Sequence, residues 1–363
     1  RKLSITAVGD IAFNGDINIK LRGDDPFKFV KNEIVSSDIS IANLECVLSD
    51  KGKPTRTWVN IRSKPSNVKY LKIFTILSLA NNHILDYGTE GMNETINVLN
   101  KNGILTLGAG NDYQEAIGSL IIERNSVKIG FISFTANMTK SRVLRPEWLH
   151  RAGPAIYYEK YVLYQIRKLK STVDVVLASI HWGVEYVYFP SPQQQALARK
   201  LVDNGVDLII GHHPHVVQGI EKYKNGLILY SLGNLVFDFT ISNVQKSVIA
   251  HVYISSDGKL DYELIPLELN NNYQAIKLSG RNKKNFLKFI EYISIPLVPT
   301  ISENFWFEQA AGIYLKSYKS SHVVLMKKYG IKQAIPFFLG LLSPYLIKHY
   351  AGFIRSKLRS LVR

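Results

Sequence analysis

The sequence predicts an α/β fold with much parallel or mixed sheet. From residue 1 to about residue 268, apolar runs typical of buried strands alternate with amphipathic runs typical of helices. Two stretches predict hairpins, "ERNSVKIGFISF" and "YISSDGKLDYELIPL", and the second turns at Asp257-Gly258. The strand-like runs are LSITAVGD, DISIANLE, TILSLA, ILTLGAG, SLIIERNSVKIGFISFT, VDVVLASIHW, VDLIIGHH, GLILYSLGNLVF and SVIAHVYISS.

Two of the intervening runs have clear helix signals. "GTEGMNETINVLNKNG" offers Thr89 as an N-cap and Gly103 as a stop. "SPQQQALARKLVDNG" has Ser191 as the cap, with Pro192 at the first helical position and a glycine at the end. Both predict helices that cross between successive strands.

The chain of 363 residues exceeds the length of roughly 250–300 residues at which a single core stops growing. Composition changes near "NNNYQAIKLSG", which predicts a first domain over residues 1–270 and a helical, basic C-terminal extension over residues 271–363. No acidic residue follows Glu308, and the basic residues there are interspersed with apolar ones. The extension is therefore expected either to pack on the first domain or to contact an anionic membrane surface.

The composition excludes several classes of protein. A hydrophobic content of 46% and a charged content of 20% are typical of an ordinary folded chain and exclude disorder. A single cysteine, Cys46, excludes an internal disulfide framework. The net charge of +16 permits a nucleic-acid partner, but the basic residues form no track interleaved with aromatic side chains, so nucleic acid is not expected. No signal peptide or membrane-spanning run is seen, which favours a peripheral position on the cytoplasmic face of the membrane.

Polar side chains follow the apolar run at the end of several predicted strands. Because the carboxyl ends of parallel strands share one edge of a sheet, we expect these side chains to converge. They are Asp10, Asn43, Glu45, Asn81, Asn82, His83, Asp86, His181, Glu185, His212, His213, His215, Asn234 and Asp238.

These residue types are those that bind a divalent transition metal. Imidazoles together with carboxylates and an amide oxygen suit Zn, Mn or Fe, and two such ions stabilise a displacement at phosphorus. "GHHPH" at residues 211–215 is the most specific signal, whereas Asp10 taken alone is more often structural and His181 beside Trp182 has an alternative reading as a core histidine. The spacing of His83 and Asp86 predicts a proton donor and the carboxylate that orients it.

The motifs "GD", "NLE", "ANNHxxDYG", "GAG", "HWGxEY", "GHHPHVxQGIE" and "YSLGNxVFD" occur in this order. In that order they resemble the CapA-type family of bacterial capsule and poly-γ-glutamate synthesis proteins, which is similar to the calcineurin-like metallophosphoesterases. The resemblance covers roughly residues 3 to 240. It implies an α/β/β/α sandwich with two facing mixed sheets and a dinuclear site at one edge.

The resemblance also implies a role for each site residue. Asp10 and His215 would bind a first metal, Glu45 would bridge, and Asn82, His181 and His213 would bind a second. His83 would protonate the leaving group, beside Asp86. The wider superfamily has a histidine where this chain has Ala12, which leaves open whether one ion or two are bound. The remaining residues would orient these groups or face the substrate, namely His212, Glu185, Asn234 and Asn43.

The expected function is that of a metal-dependent hydrolase, a phosphoesterase of capsule, exopolysaccharide or poly-γ-glutamate biosynthesis. An anionic glycan or a phosphorylated or lipid-linked polymer intermediate would be its substrate. One alternative is a non-catalytic, metal-containing assembly or polymer-binding component of a capsule machine, and another is amide hydrolysis of a poly-γ-glutamate-like polymer. Two further features are open: Arg142, Arg145 and Arg151 either bind an anion or are solvated, and Glu221 either supports the histidine loop or ends a turn.

Overall fold

The computed structural model describes residues 3–14, 17, 23–55, 59–136, 149–238, 245–309 and 351. The strands are β1 (Leu3–Ile11), β2 (Ile39–Leu44), β3 (Val47–Leu48), β4 (Arg62–Ser63), β5 (Ile76–Ser78), β6 (Leu105–Leu107), β7 (Ala109–Gly110), β8 (Leu120–Arg124), β9 (Val127–Ala136), β10 (Gly153–Pro154), β11 (Val175–Trp182), β12 (Leu208–His212), β13 (Ile220–Tyr223), β14 (Gly226–Leu229), β15 (Asn234–Val236), β16 (Lys246–Ile254), β17 (Leu260–Leu269) and β18 (Ala275–Lys277). The helices are α1 (Lys31–Val35), α2 (Val68–Leu71), α3 (Gly88–Lys101), α4 (Tyr113–Ala116), α5 (Glu159–Lys170), α6 (Pro192–Asp203) and α7 (Gly280–Ser294). Residues 303–309 are also helical.

The strands form two main sheets. The larger sheet has the order β18-β17-β16-β1-β2-β5-β6, with β15 pairing with β1 at its end. The smaller sheet has the order β13-β14-β12-β11-β9-β8. In the smaller sheet the central pairs are parallel and both edge pairs are antiparallel. In the larger sheet the pairs from β1 to β6 are parallel and those from β1 to β18 are antiparallel. Both sheets are therefore mixed, as predicted.

Three apolar layers hold these elements together. Between the sheets, alternate residues of β1 and β2 such as Ile5 and Ile41 pack against residues of β9 and β11 such as Phe131 and Leu177. The other face of the larger sheet packs on α1, α2 and α3, and that of the smaller sheet packs on α5 and α6. Helices thus cover both outer faces, and the α/β/β/α sandwich is confirmed.

Local predictions mostly agree with the structure. Both hairpins are present, as β8 with β9 and as β16 with β17. Helix α6 begins with a capping box: the Ser191 side chain accepts from the Gln194 backbone N–H, and the Gln194 side-chain oxygen accepts from the Ser191 backbone N–H. The prediction of Thr89 as the N-cap was wrong. The N-cap is Tyr87 and α3 begins at Gly88, so that Thr89 lies inside the helix.

One predicted strand is in fact two strands in different sheets. "GLILYSLGNLVF" contains β14 of the smaller sheet and β15 of the larger sheet. The chain crosses between the sheets at Gly233, which adopts a φ of +75° that glycine accepts without steric cost. The prediction of one continuous strand was wrong because the first part pairs with β12 in the smaller sheet and the last part pairs with β1 in the larger sheet.

The described part of the C-terminal extension lies against the sandwich. Strand β18 pairs with β17, and Phe286 and Ile290 of α7 join the layer between the sheets. Trp306 and Phe307 are buried with the smaller sheet's outer layer. The predicted basic tail beyond residue 309 falls outside the described residues, apart from residue 351. Among the described residues, no helix combines the length and the apolar character needed to cross a bilayer.

Candidate metal centre

The predicted site residues converge at one edge of the sandwich. Asp10 is the next-to-last residue of β1, and Glu45 follows β2 directly. In the facing sheet, His181 of β11 lies opposite His212 of β12 in the parallel register. The carboxyl ends of parallel strands from both sheets therefore meet, whereas the sequence argument had assumed the edge of a single sheet.

The glycine that precedes the histidines is required by close packing. A Cβ atom at Gly211 would lie 1.9 Å from the Tyr230 carbonyl oxygen and 2.5 Å from Nε1 of Trp182. The Trp182 indole donates a hydrogen bond of 2.9 Å to that same carbonyl. Gly211 thus lets β12 end where the next residues enter the centre.

Three sets of side chains have donor atoms that lie within 4.8 Å of one another. Two of the sets contain the carboxylate of Glu45, and the other contains the carboxylate of Glu185. The sets are Glu45 with His181 and His213; Asp10 with Glu45 and His215; and Glu185 with His213 and His215. Asn82 adjoins the first set, because its Oδ1 atom lies 2.9 Å from Nε2 of His181.

Asp10 lies fully buried among donors. It accepts from the side-chain amide of Asn43 at 2.9 Å and from the backbone N–H of His213 at 3.1 Å. Nδ1 of His212 lies 3.1 Å from its Oδ1 atom. Burial raises the pKa of the Asp10 carboxyl, but the contact and charge of His212, with smaller effects from His215 and Asn43, outweigh it and leave this pKa below its usual value. Asp10 is therefore ionised and suited to a cation.

Two histidines of the loop after β12 have unusual backbone conformations. His213 has a φ of +93° and His215 a φ of +58°. Such conformations cost about 1–3 kcal/mol each in non-glycine residues and persist where the surrounding structure enforces them. In this loop the His213 imidazole shares a set of close donor atoms with Glu45, and the His215 imidazole shares one with Asp10 and Glu45.

The pKa values of His181, His213 and His215 lie below the usual histidine value. Burial is the main cause that lowers the pKa of His181 well below its usual value, and the charges of neighbouring histidines lower it further. Burial also lowers the pKa of His213 to about 4, although Asp10 opposes the shift. The pKa of His215 falls for the same main reason. A neutral imidazole is the form that binds a metal.

His83 and Asp86 form a close pair beside these ligands. Nδ1 of His83 lies 2.6 Å from Oδ2 of Asp86, which also accepts from the backbone N–H of Ile61 at 2.7 Å. Asp86 is fully buried, and 8% of the His83 surface is exposed. The predicted pairing at i, i+3 is present, and it leaves Nε2 of His83 for another partner.

Buried amides orient the ligands. The Asn43 amide that donates to Asp10 also lies 3.5 Å from Oε2 of Glu45. Asn81, to which the sequence assigned no role, donates to Oδ1 of Asn43 at 3.1 Å and accepts from the backbone N–H of His83 at 3.0 Å. Oδ1 of Asn234 lies 3.0 Å from Nδ1 of His215, which directs the other ring nitrogen towards Glu45. The sequence signal that could have predicted this role of Asn81 was its position within "ANNH", directly before Asn82 and His83.

The donor set fits a divalent metal ion. In the described part of the chain, Nδ1 of His181, Nε2 of His212 and Nδ1 of His213 are buried without a hydrogen-bond partner. Buried polar atoms are normally paired, so atoms of this kind mark a site that expects a ligand. Imidazoles, carboxylates and an amide oxygen together match Zn, Mn or Fe.

The predicted anion-binding loop contains Arg142, Arg145 and Arg151. Arg142 and Arg145 lie outside the described residues, and Arg151 is exposed.

Comparison with known proteins agrees with this architecture. Residues 4–239 match the model of the bacterial capsule synthesis protein family PGA_cap. The chain belongs to this family. The CapA-type resemblance deduced from the motifs is thereby confirmed.

Curated relatives extend the match. The chain is 34% identical over 281 residues to "Capsule biosynthesis protein CapA" of Bacillus anthracis, which covers 74% of this chain and 68% of the relative. It is 30% identical over 297 residues to "PGA biosynthesis protein CapA" of Bacillus subtilis, a match that covers 79% of this chain and 77% of the relative. A "Probable polyglutamine synthesis accessory protein" of Mycobacterium tuberculosis is 31% identical, with 68% and 66% covered.

Two solved structures resemble this PGA_cap chain more remotely. A hypothetical protein of Thermus thermophilus has a TM-score of 0.48 at 12% identity, covering 73% of this chain and 99% of that one. A putative 5'-nucleotidase of Staphylococcus aureus has a TM-score of 0.47 at 14% identity, covering 80% and 58%. We therefore take the chemistry of the site from its own residues.

Proposed function

We propose that this chain is a metal-dependent hydrolase, a phosphoesterase that acts on an anionic intermediate of capsule or poly-γ-glutamate biosynthesis. The supporting observation is the convergence of Asp10, Glu45, His181, His213 and His215 from distant segments. Membership of the capsule synthesis family supports the biological process. The buried pair of His83 and Asp86 beside the cluster favours catalysis over a purely structural metal.

Each group has a role in this proposal. Glu45 belongs to two of the ligand sets and would be shared by two ions, one with Asp10 and His215, the other with His181, His213 and Asn82. When bound, the metal supplies a Lewis acid that stabilises negative charge on the phosphoryl oxygens. Water then replaces the leaving group at phosphorus, so that one P–O bond forms and one breaks.

His83 would protonate the departing oxygen. Its Nδ1 lies within hydrogen-bond distance of Asp86, which fixes the orientation of the ring. The proton would pass from Nε2 to the alkoxide as the P–O bond breaks, and solvent would restore it. Asp86 Oδ2 contacts the imidazole and the backbone N–H of Ile61, so Asp86 would act by orienting His83.

The first experiment measures metal content and turnover in the same preparation. Purified full-length protein is expected to contain Mn, Zn or Fe by plasma mass spectrometry and to cleave a nitrophenyl phosphomonoester or phosphodiester. His83→Ala should keep the metal and lose roughly 10²–10⁴-fold in kcat. His251→Gln is the matched control, because His251 is also buried but contacts Thr6 at 2.8 Å, outside the centre.

Several outcomes would contradict the proposal. Absence of metal from the purified protein would contradict the proposed metal centre itself. Bound metal without cleavage of either ester, across several metals and pH values, would support a non-catalytic component. Cleavage of a γ-glutamyl amide in place of the esters would show that the protein is an amide hydrolase rather than a phosphoesterase. Loss of metal from His83→Ala would make His83 a ligand.

We also propose that the protein binds peripherally to the cytoplasmic membrane, on its cytoplasmic face, where an anionic lipid-linked substrate is held. The net charge of +16 and the basic residues after Glu308 support this. Full-length protein should sediment with vesicles that contain anionic lipid, and a variant lacking residues 331–363 should not. Equal sedimentation of both forms, or none, would contradict the proposal.

A further inference from the structure

Glu185 lies at the metal centre without a role in the reaction proposed above. Its carboxylate belongs to the third ligand set, with donor atoms of His213 and His215 within 4.8 Å. Those two histidines also belong one to each of the other sets. The sequence suggested only that Glu185 orients other groups or faces the substrate.

We propose that Glu185 is a metal ligand that binds a cation held by His213 or His215. This inference rests on the proposed function, which supplies the divalent ions and the anionic substrate. Two imidazoles and one carboxylate form a common ligand set for divalent transition metals. The set is supplied by two loops, one after β12 and one after β11.

The backbone connects these two loops. The N–H of Tyr186 donates to the carbonyl oxygen of Pro214 at 2.8 Å, which lies between the two histidines in the chain. Tyr186 adopts a φ of +67° to make this contact. Because strain of this kind persists only where the structure enforces it, the position of Glu185 relative to His213 and His215 is determined by the fold.

The Tyr186 side chain acts on Glu185 as well. Burial raises the pKa of the Tyr186 phenol, and the charge of Glu185 and a hydrogen bond to it raise this pKa further. The phenol therefore stays protonated and donates to the carboxylate. Metal-binding carboxylates commonly have such a donor on the oxygen that faces away from the ion.

The rest of the Glu185 loop is held from two sides. The Gln218 side chain donates to the carbonyl oxygen of Val187 at 2.8 Å. The indole of Trp306, which is 2% exposed, donates to the carbonyl oxygen of Phe189 at 2.8 Å. A loop fixed on both sides is suited to presenting a ligand at constant geometry.

Charge balance points in the same direction. A carboxylate that faced an anionic substrate directly would repel it. Two divalent ions carry a charge of +4 and the carboxylates of Asp10, Glu45 and Glu185 carry −3, so a centre with all three as ligands retains +1 for an anion. Glu185 bound to metal therefore removes the repulsion that an unbound Glu185 would cause.

The test compares metal binding, rather than turnover, in Glu185→Gln and the wild-type full-length protein. Glu185→Gln should bind Mn²⁺ or Zn²⁺ at least about 10-fold more weakly by calorimetry and retain less metal after desalting. Glu185→Asp, which keeps the charge, should recover part of the loss. Glu90→Gln is the matched control, because Glu90 is exposed in the first turn of α3 and should leave affinity unchanged.

The outcomes separate this inference from the proposed function. Wild-type affinity and stoichiometry in Glu185→Gln would overturn the ligand role, and reduced turnover alone would assign Glu185 to the substrate. Failure of the wild-type protein to bind metal, by contrast, would overturn the centre itself. Near-ultraviolet circular dichroism of each variant in chelator verifies that the fold is retained.

Discussion

Two buried polar clusters of this protein differ in how their hydrogen bonds are satisfied. One is the metal centre at the edge of the sandwich. The other, which we call the arginine cluster, consists of Arg199, Glu221, Gln195 and Tyr230, together with the carbonyl oxygens of Leu297 and Pro299. The hydrogen-bonding groups of the arginine cluster have partners within the protein, whereas several of those in the metal centre do not.

In the arginine cluster the protein satisfies its own polar groups. Glu221 accepts from Nε of Arg199 at 2.8 Å and from the Tyr230 hydroxyl at 2.8 Å. The remaining guanidinium nitrogens donate to Thr300 and to the carbonyl oxygens of Leu297 and Pro299. Glu221 therefore belongs to an anchor for residues 297–301, which differs from both sequence interpretations, support of the histidine loop and the end of a turn.

In the metal centre, ring nitrogens of His181, His212 and His213 are left without protein partners among the described residues. There the Asp10 carboxylate contacts Asn43, the His213 backbone and the imidazoles of His212 and His215 rather than an arginine or a lysine. The difference indicates that the arginine cluster contributes to stability, whereas the metal centre is arranged for a ligand.

The largest expected effect comes from removing the shared carboxylate. Glu45→Gln should abolish turnover and weaken metal binding by more than the roughly 10–100-fold that loss of an outer partner costs, because Glu45 belongs to two ligand sets. In chelator, its free energy of unfolding should not fall by more than about 1 kcal/mol, since the substitution removes a buried charge. Calorimetry and urea unfolding measure the two quantities. Wild-type metal affinity or a large loss of stability in Glu45→Gln would contradict the proposed difference between the clusters.

The converse substitution is Arg199→Ala. It leaves Glu221, whose side chain is 1% exposed, without its cationic partner, so the free energy of unfolding should fall by about 3 kcal/mol. Metal affinity of the folded protein should stay near the wild-type value. The control is Lys170→Ala, which breaks a pair whose side chains are 40% and 24% exposed and should cost no more than about 1 kcal/mol. Equal costs in urea unfolding would contradict this account.

A smaller effect is expected from Asn234→Ala, which removes the acceptor that lies 3.0 Å from Nδ1 of His215. The imidazole would lose its fixed orientation, and metal affinity should fall roughly 10–100-fold by calorimetry. Asn67→Ala offers a matched control, since Asn67 is buried and contacts Ser63 instead. An unchanged affinity would show that His215 is oriented by its backbone alone.

The smallest effect concerns Cys46, which follows Glu45 but does not enter the centre. Burial raises the pKa of the Cys46 thiol to about 12, and the thiolate is the reactive form. Labelling with a disulfide reagent at pH 8 should therefore be slow in the native protein, faster as the pH rises towards that pKa, and rapid in urea. Chelation of the metal should change the native rate little. Fast native labelling would mean that solvent reaches behind Glu45.

The sequence was sufficient to predict both hairpins, the capped helix at Ser191 and the polar residues at strand ends, because these features depend on neighbouring residues. It was not sufficient where long-range packing decided the outcome. "GLILYSLGNLVF" was predicted as one strand although Gly233 carries the chain to the other sheet. Asn81 received no role because its partner Asn43 lies 38 positions away in the chain.

The sequence by itself determined the donor types, since Asp10, Glu45, His181, His213 and His215 supply the carboxylate oxygens and imidazole nitrogens that divalent transition metals prefer. Tertiary structure decided which of these residues lie within one candidate ligand set, and it placed Glu185 beside His213 and His215. It also decided that the arginine cluster is complete while the metal centre is open. The reason is physical: donor identity is a property of single side chains, whereas distances within 4.8 Å and satisfied hydrogen bonds arise only when two sheets pack face to face.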